Sequence, residues 1–150
     1  MGQQQLALLV LGIVIVALGV VVGIQAFAQS QQSARRDQTH QLAVELAARA
    51  QAWKLTPRVQ GGGAGGDAAD FSAFTLGAVG LQATEGRGGA ETLRRSEYTC
   101  LKVVPSTEGL VIETLDADCT DGSWWSRVTV TGPSLEDIAV TVNEGAAGGP

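Results

Sequence analysis

The chain begins with an apolar run, and this run constrains the fold more than any other feature of the sequence. Residues 6–24 are 19 consecutive residues without a charge. As a helix they would be about 28 Å long, at about 1.5 Å per residue, which is close to the thickness of the hydrocarbon core of a bilayer. We therefore predict a helix that is able to cross a membrane.

A secretory signal peptide is the alternative interpretation of this run. Such a peptide has a basic start, an apolar core of about 7 to 15 residues and a cleavage site flanked by small residues. The stretch AFAQS at residues 26–30 weakly resembles a cleavage site, but the run is too long and the glutamines before it are uncharged. Cleavage is therefore the less favoured of the two interpretations.

The residues after the apolar run predict that the helix continues with a different surface. Residues 29–54 contain no Gly or Pro and are rich in Ala, Gln, Leu and Arg, which favour a helix. As one helix, residues 3–54 would be about 75 to 80 Å long. Apolar side chains recur every three or four residues among the charged ones, so this part is amphipathic. The apolar stripe that we expect to pack on the rest of the protein consists of Leu42, Leu46, Ala50 and Trp53.

A glycine-rich stretch ends the helix. Pro57 is followed by GGGAGG at residues 61–66, and both residue types break helices. A phosphate-binding loop is excluded because no Gly-Lys-Ser/Thr follows the glycines. We expect a flexible linker or a close-packed turn here, and an irregular Gly/Ala-rich loop, with at most one short strand or helical turn, over the rest of residues 57–97.

The last third of the chain has the pattern of an antiparallel sheet of about four strands. Short β-branched segments at residues 98–104, 110–115, 124–131 and 137–143 are separated by Gly, Pro, Ser and Asp. Alternation along the third segment predicts one face with Trp124, Ser126, Val128 and Val130, and an opposite face with Trp125, Arg127, Thr129 and Thr131. The fourth segment adds Ile138, Val140 and Val142 to an apolar face, which the helical stripe should cover.

Charge and cysteine content exclude several functions. Residues 1–54 have four basic and two acidic side chains, a net charge of +2. Because the net charge of the whole chain is −5, the remaining residues have a net charge of −7. An acidic head argues against a nucleic-acid partner, because phosphate binding needs a basic face. Cys100 and Cys119 have too few neighbouring ligands for a zinc site, so we predict a disulfide and a compartment outside the cytoplasm.

The other polar groups predict neither catalysis nor a cofactor. His40 should be solvated on the polar side of the helix, and no paired carboxylates, catalytic triad or metal cluster is recognisable. The segment DADCTDG at residues 116–122 partly resembles a calcium-binding loop. However, Asp121 is one position later than the ligand position of such a loop, and no Glu follows at the twelfth position. We expect a turn there, and a protein that is not an enzyme.

This order of elements resembles the type IV pilins and pilin-like filament subunits. The resemblance covers the whole architecture, which is an α+β fold with a long helix packed on a small antiparallel sheet and a cysteine pair late in the chain. The sequence-specific part of the resemblance is confined to residues 1–54. The resemblance implies a membrane anchor in residues 1–30, an amphipathic half-helix in 31–56, a loop region in 57–97 and a sheet head in 98–150. In that family the bare half-helices form the core of an extracellular filament.

The resemblance also implies a role for particular residues. The residues expected in the filament core are Gln5, Leu9, Gly12, Ile13, Val16, Gly19, Val20, Gly23 and Ile24. Gly19 and Gly23 form a small-xxx-small pattern that favours close helix approach, although Gly is also simply frequent in membrane helices. An exposed aromatic often marks an interface, so Trp125 and Arg127 are expected either in an intersubunit contact or under the Gly-rich loop.

Two positions depart from the pattern of the family. Pilins usually have a glutamate at the fifth mature position, where this chain has Gln5, which can make a neutral version of the same contact. No leader precedes Met1, and the positive-inside rule applied to Arg35 and Arg36 would place the head in the cytoplasm. We expect that a basic leader was removed before Met1; a leaderless form is the alternative.

Together these observations predict the structural subunit of a filament. The expected partners are identical subunits, the cytoplasmic membrane before assembly, and the pilus assembly machinery. The alternatives are a minor pseudopilin of a secretion or DNA-uptake machine, or a single-pass anchored surface domain that does not polymerise.

Overall fold

The computed structural model describes residues 2–87, 89–96, 99–115, 119 and 124–143. These residues form an α+β fold that contains one long helix, α1 (Gly2–Leu55), and a six-stranded antiparallel sheet. Contacts divide the chain into two compact units, Met1–Arg36 and Asp37–Pro150. The first unit is the start of α1. The second contains the rest of α1 and the sheet.

The strands follow one another in space as they do along the chain. The sheet has the order β1-β2-β3-β4-β5-β6, and every neighbouring pair is antiparallel. Short 3₁₀ helices lie at Arg58–Gln60, Leu76–Val79 and Leu135–Asp137. The strands are β1 (Glu85–Arg87), β2 (Ala90–Ser96), β3 (Thr99–Pro105), β4 (Leu110–Leu115), β5 (Trp124–Val130) and β6 (Ile138–Val142).

The sheet has two more strands than the sequence predicts. The four predicted segments match β3 to β6 within one residue at each described end, whereas β1 and β2 lie in the segment predicted as loop. In β2 only Leu93 is a buried apolar residue, so the strand lacks the alternation that reveals β3 to β5. Its backbone is instead held by pairing with β1 on one side and β3 on the other.

The rear part of α1 packs on one face of the sheet. Leu46 and Ala50 are buried, as is Trp53 at 8% exposure, while Leu42 is partly buried against the same core. Three alanines on this side of the helix have no exposed surface and allow a close approach to the strands. Across from them, the apolar core of the sheet consists of Leu93, Leu101, Val103, Leu110, Ile112, Val128 and Val130.

The glycine-rich stretch after the helix forms a close-packed turn. The indole Nε1 of Trp53 donates to the carbonyl of Gly61 at 3.0 Å, and the N–H of Gly63 donates to the carbonyl of Trp53 at 3.0 Å. The Trp53 ring lies 5.3 Å from Phe74 in an edge-on arrangement and 6.4 Å from Phe71. The segment predicted as irregular loop therefore supplies apolar cover for one side of the sheet.

The cover reaches only the start of β6, where Ile138 is packed against the core. Val140 and Val142 pair with Val128 and Ser126, so they share the face of the sheet on which α1 packs. Their exposed fractions are nevertheless 47% and 60%, whereas Val128 has no exposed surface. The prediction that the helical stripe covers the whole apolar face is wrong at this edge. A helix about 10 Å across is too narrow for a sheet whose outer strands are about 24 Å apart.

Candidate assembly surface

The first compact unit exposes nearly all of its apolar surface. The large apolar side chains between Leu6 and Phe27 have exposed fractions from 48% to 73%. The apolar window of this helix has no buried residue, and it is long and apolar enough to cross a membrane. A soluble globular protein buries such a surface, because each Å² of apolar area in water costs about 25 cal/mol. A surface of this kind is compatible with a membrane anchor or with a contact to another protein.

The residues expected in a filament core all lie on this exposed surface. Gln5, Leu9, Ile13, Val16, Val20 and Ile24 are exposed, as are Gly12 and Gly19, and Gly23 is half-buried. A Cβ atom added at any of the three glycines would meet no atom within 4 Å. The fold of this chain does not require glycine at these positions. Their small size becomes relevant only when another helix approaches them.

The start of the second unit is tied to the sheet by a small polar cluster. The Nδ1 atom of His40 lies 3.2 Å from the Oγ atom of Ser126 on β5. The N–H of Ser126 donates to the hydroxyl of Thr114 on β4 at 2.9 Å, and both hydroxyl residues are buried. The prediction of a solvated His40 is wrong. Since Ser126 is only 1% exposed, its hydroxyl is shielded from solvent and serves the packing of helix on sheet.

Two polar residues that the apolar stripe did not predict hold the other end of the helix. The amide nitrogen of Gln51 donates to the carbonyls of Gly132 at 3.0 Å and Ser134 at 2.5 Å. The ammonium of Lys54 donates to the carbonyl of Asp70 at 2.5 Å and lies 5.5 Å from the centre of the Phe71 ring. Both side chains are about 6% exposed. They bind the end of α1 to the loops that carry these carbonyls.

The predicted disulfide is present. Cys100 on β3 and Cys119 are bonded, with their Cα atoms 5.6 Å apart. Cys100 pairs with Leu115 at the end of β4, so the bond ties the segment that follows β4 back to β3. The calcium-loop candidate, residues 116–122, lies outside the described residues except for Cys119. Among the residues that the structure describes, no group of three acidic, His or Cys side chains could hold a metal ion.

Arg127, which we expected together with Trp125 at an interface, contacts Trp124 and Glu113 on the outer face of the sheet. The Arg127 guanidinium donates to the Glu113 carboxylate from Nε at 3.1 Å and from Nη2 at 2.6 Å. It also lies 4.4 Å from the centre of the Trp124 ring. The indole nitrogen of Trp125 donates to the Leu115 carbonyl at 3.4 Å. Both tryptophans and Arg127 are partly exposed.

The position of Trp124 corrects the predicted face assignment. A register shift between Thr114 and Leu115 places Ser126 and Trp124 opposite consecutive residues of β4, so Trp125 is the extra residue of a β-bulge. The bulge breaks the alternation of side chains along β5. Trp124 therefore meets Arg127, although a regular strand would place it on the core face with Ser126.

Comparison of the chain with protein-family models, with curated proteins and with solved structures finds no match.

Proposed function

We propose that this protein is a structural subunit of a type IV pilin-like filament. The observation that carries the proposal is the contrast along one helix. Residues 2–34 are uncharged and expose their apolar side chains, whereas residues 39–54 bury one face on a folded sheet. A helix of this kind joins an apolar surface, whose exposure to water is unfavourable, to a folded domain whose own core does not include that surface.

Burial of the bare half-helix provides the driving force for assembly. Its exposed apolar area is on the order of 2,000 Å², worth tens of kcal/mol at about 25 cal/mol per Å². Lipid supplies that burial while the subunit is a membrane protein, and identical helices supply it in a bundle. A contact that repeats head to tail without closing produces an open helical polymer. The proposed life cycle is insertion in the cytoplasmic membrane, followed by transfer into an extracellular filament by a pilus assembly machinery.

The disulfide supports an exported head. Disulfides persist in oxidising compartments and are rare in the cytoplasm. The Cys100–Cys119 bond therefore favours a location of residues 37–143 outside the cytoplasm. This topology is the one that a surface filament requires.

The test compares the exported full chain with a form that lacks the bare half-helix. The full chain and residues 31–150 are exported from the same host, and material sheared from the cell surface is imaged by electron microscopy. Filaments should form from the full chain and not from the shortened form. Filaments of the shortened form would contradict the proposal. Full-length protein that is found only as detergent-soluble monomer would favour an anchored surface domain.

A further inference from the structure

An uncovered apolar strip lies beside α1 on the inner face of the sheet. We name it the β6 strip. Val140 and Val142 point to the layer that contains α1, yet they are about half exposed. The β6 strip consists of Val140 and Val142 on β6 and of His40 and Val44 on the flank of α1.

The contacts of His40 place the two sides of the strip next to each other. His40 lies 3.2 Å from Ser126, and Ser126 pairs with Val142 on the neighbouring strand. Val44 lies one turn after His40 on the same side of α1 and is 38% exposed. The strip therefore has a floor formed by β6 and a wall formed by the helix.

On the other side of α1, the inner face of the sheet is covered. There the segment after the helix packs Phe71, Phe74 and Leu76 into the core, each with at most 1% exposure. On the β6 side of α1, no described residue covers Val140 and Val142 in this way. Each strand adds about 4.8 Å to the width of the sheet, and one helix spans about 10 Å, so the layer has room for a second element along β6.

The shape and chemistry of the strip fit an apolar helix. β6 has five residues and is about 16 Å long, which corresponds to about three helical turns. The inner-face residues of β6 are Ile138, Val140 and Val142, none of which is charged. An acidic or basic peptide would find no charged partner on this floor. An uncharged apolar helix would lose no hydration of a charge when it binds.

This protein itself carries such a helix. Residues 2–34 contain no charged residue, and their apolar side chains are exposed on all sides. The helix and the strip are different surfaces of the molecule. A contact between them is therefore heterologous and repeats from copy to copy, which matches an open polymer rather than a closed dimer.

We propose that the β6 strip is the docking site for the bare half-helix, residues 2–34, of a second copy of this chain. The proposal rests on the proposed function, because it specifies where on the head a neighbouring subunit binds. One strip covers one side of the docked helix. The remaining sides are left for other helices of the bundle.

Photo-crosslinking in the full chain tests the contact directly. A photoreactive amino acid is placed at Val140 in one tagged copy, which is co-expressed with a second copy that carries a different tag. A matched probe is placed at Ala139, which is exposed on the opposite face of β6 and pairs with Thr129 rather than with Arg127. Because the first basic residue is Arg35, trypsin releases residues 1–35 as one peptide, and Val140 lies in the peptide that follows Arg127.

The expected crosslinked dimer carries both tags, and its tryptic digest contains these two peptides joined to each other. It should be at least about tenfold more abundant for the probe at Val140 than for the probe at Ala139, because only the Val140 probe lies in the proposed contact. A polymer in which the Val140 probe labels a strand, the outer face of another head, lipid or a different protein would overturn the docking site and leave the filament proposal intact. Absence of any polymer would overturn both.

A substitution in the full chain gives a second, independent measurement. Val140→Asp places a carboxylate on the strip, whereas Ala139→Asp places the same charge on the other face of the strand, opposite Thr129. We expect Val140→Asp to reduce sheared polymer by about tenfold or more, because a buried unpaired carboxylate disfavours the assembled state. Equal polymer yields from the two variants would contradict the proposal. Formation of the Cys100–Cys119 disulfide in both variants serves as the check that the head is folded.

Discussion

At the residue scale, Trp53 packs the end of α1 against the loop that follows the helix. Its ring contacts Phe74 and Phe71, and its indole nitrogen donates to the Gly61 carbonyl. A Cβ atom added at Gly63 would lie 2.5 Å and 2.6 Å from two ring carbons of Trp53. Glycine at position 63 is therefore required by the close approach of the turn to the ring.

We expect Gly63→Ala to destabilise the head by about 1 to 3 kcal/mol, because the added methyl group overpacks a filled site. Gly77→Ala is the matched control, since its added Cβ would have only one neighbour within 4 Å, the Thr75 hydroxyl at 3.8 Å. The measurement is the free energy of unfolding by denaturant titration of the full chain in detergent micelles. Equal destabilisation by the two substitutions would show that the Trp53 contact is not the cause.

Asp70 should make the stability of the head depend on pH. The side-chain hydroxyl and the backbone N–H of Ser72 both donate to its carboxylate, and these hydrogen bonds lower the pKa of Asp70 below 3.8. A carboxyl whose pKa is lower in the folded state stabilises the fold above its unfolded pKa. That contribution is lost as the pH falls through the folded pKa.

Asp70→Asn mimics the protonated carboxyl, so we expect it to lower the melting temperature near pH 7 and to have a shrinking effect below about pH 4. Asp67→Asn, three residues earlier, controls for the loss of one negative charge. The measurement is the difference in melting temperature between each variant and the unchanged chain over this pH range. A difference for Asp70→Asn that grows as the pH falls would contradict the assigned cause.

At the scale of elements, the disulfide joins Cys100, near the start of β3, to Cys119, which follows β4 in the chain. β4 ends at Leu115, beside Cys100, and the bond closes a loop with a sequence separation of 19. In the chain-entropy picture, closing a loop of this size stabilises the folded state by about 3 kcal/mol relative to the open chain.

Replacement of both Cys100 and Cys119 by Ala should therefore lower the free energy of unfolding by about 3 kcal/mol. Denaturant titration of the exported full chain measures the loss. The unchanged chain under reducing conditions is the control, and it should lose a similar amount because the same crosslink is absent. An unaltered unfolding midpoint in both samples would show that the bond adds no stability.

The elements differ in how far the sequence could predict them. The predicted segment 110–115 has the same bounds as β4, because the β-branched and apolar residues of LVIETL are flanked by turn residues. The stripe on α1 followed from its spacing, but Gln51 and Lys54 bond to carbonyls far along the chain, and no local pattern contains that information. The bulge at Trp125 and the half-buried His40 likewise depend on how β5 pairs with β4 and packs against α1.

At the scale of the whole molecule, the distribution of charge agrees with the proposed environments: an apolar one for residues 2–34 and water for the head. Residues 2–34 have no charged side chain, and the first charges are Arg35 and Arg36. The remainder is acidic, which keeps a head soluble and disfavours nonspecific association between heads. In the proposed filament, the uncharged helix supplies the attraction between subunits.

The last prediction concerns charge placed within that helix. Val14→Asp combined with Ile15→Asp should abolish both membrane insertion and filament formation, because an acidic side chain at the centre of a bilayer-spanning helix costs about 2.5 to 3.5 kcal/mol. Gln38→Asp combined with Gln41→Asp adds the same charge to exposed polar positions of α1 that lie outside residues 2–34, and it should be tolerated. Gln5→Glu should also be tolerated better than the central pair if position 5 lies in a polar contact. Membrane flotation and electron microscopy of sheared material report the two properties separately. Filaments from the Val14 and Ile15 variant would show that the apolar surface does not drive assembly.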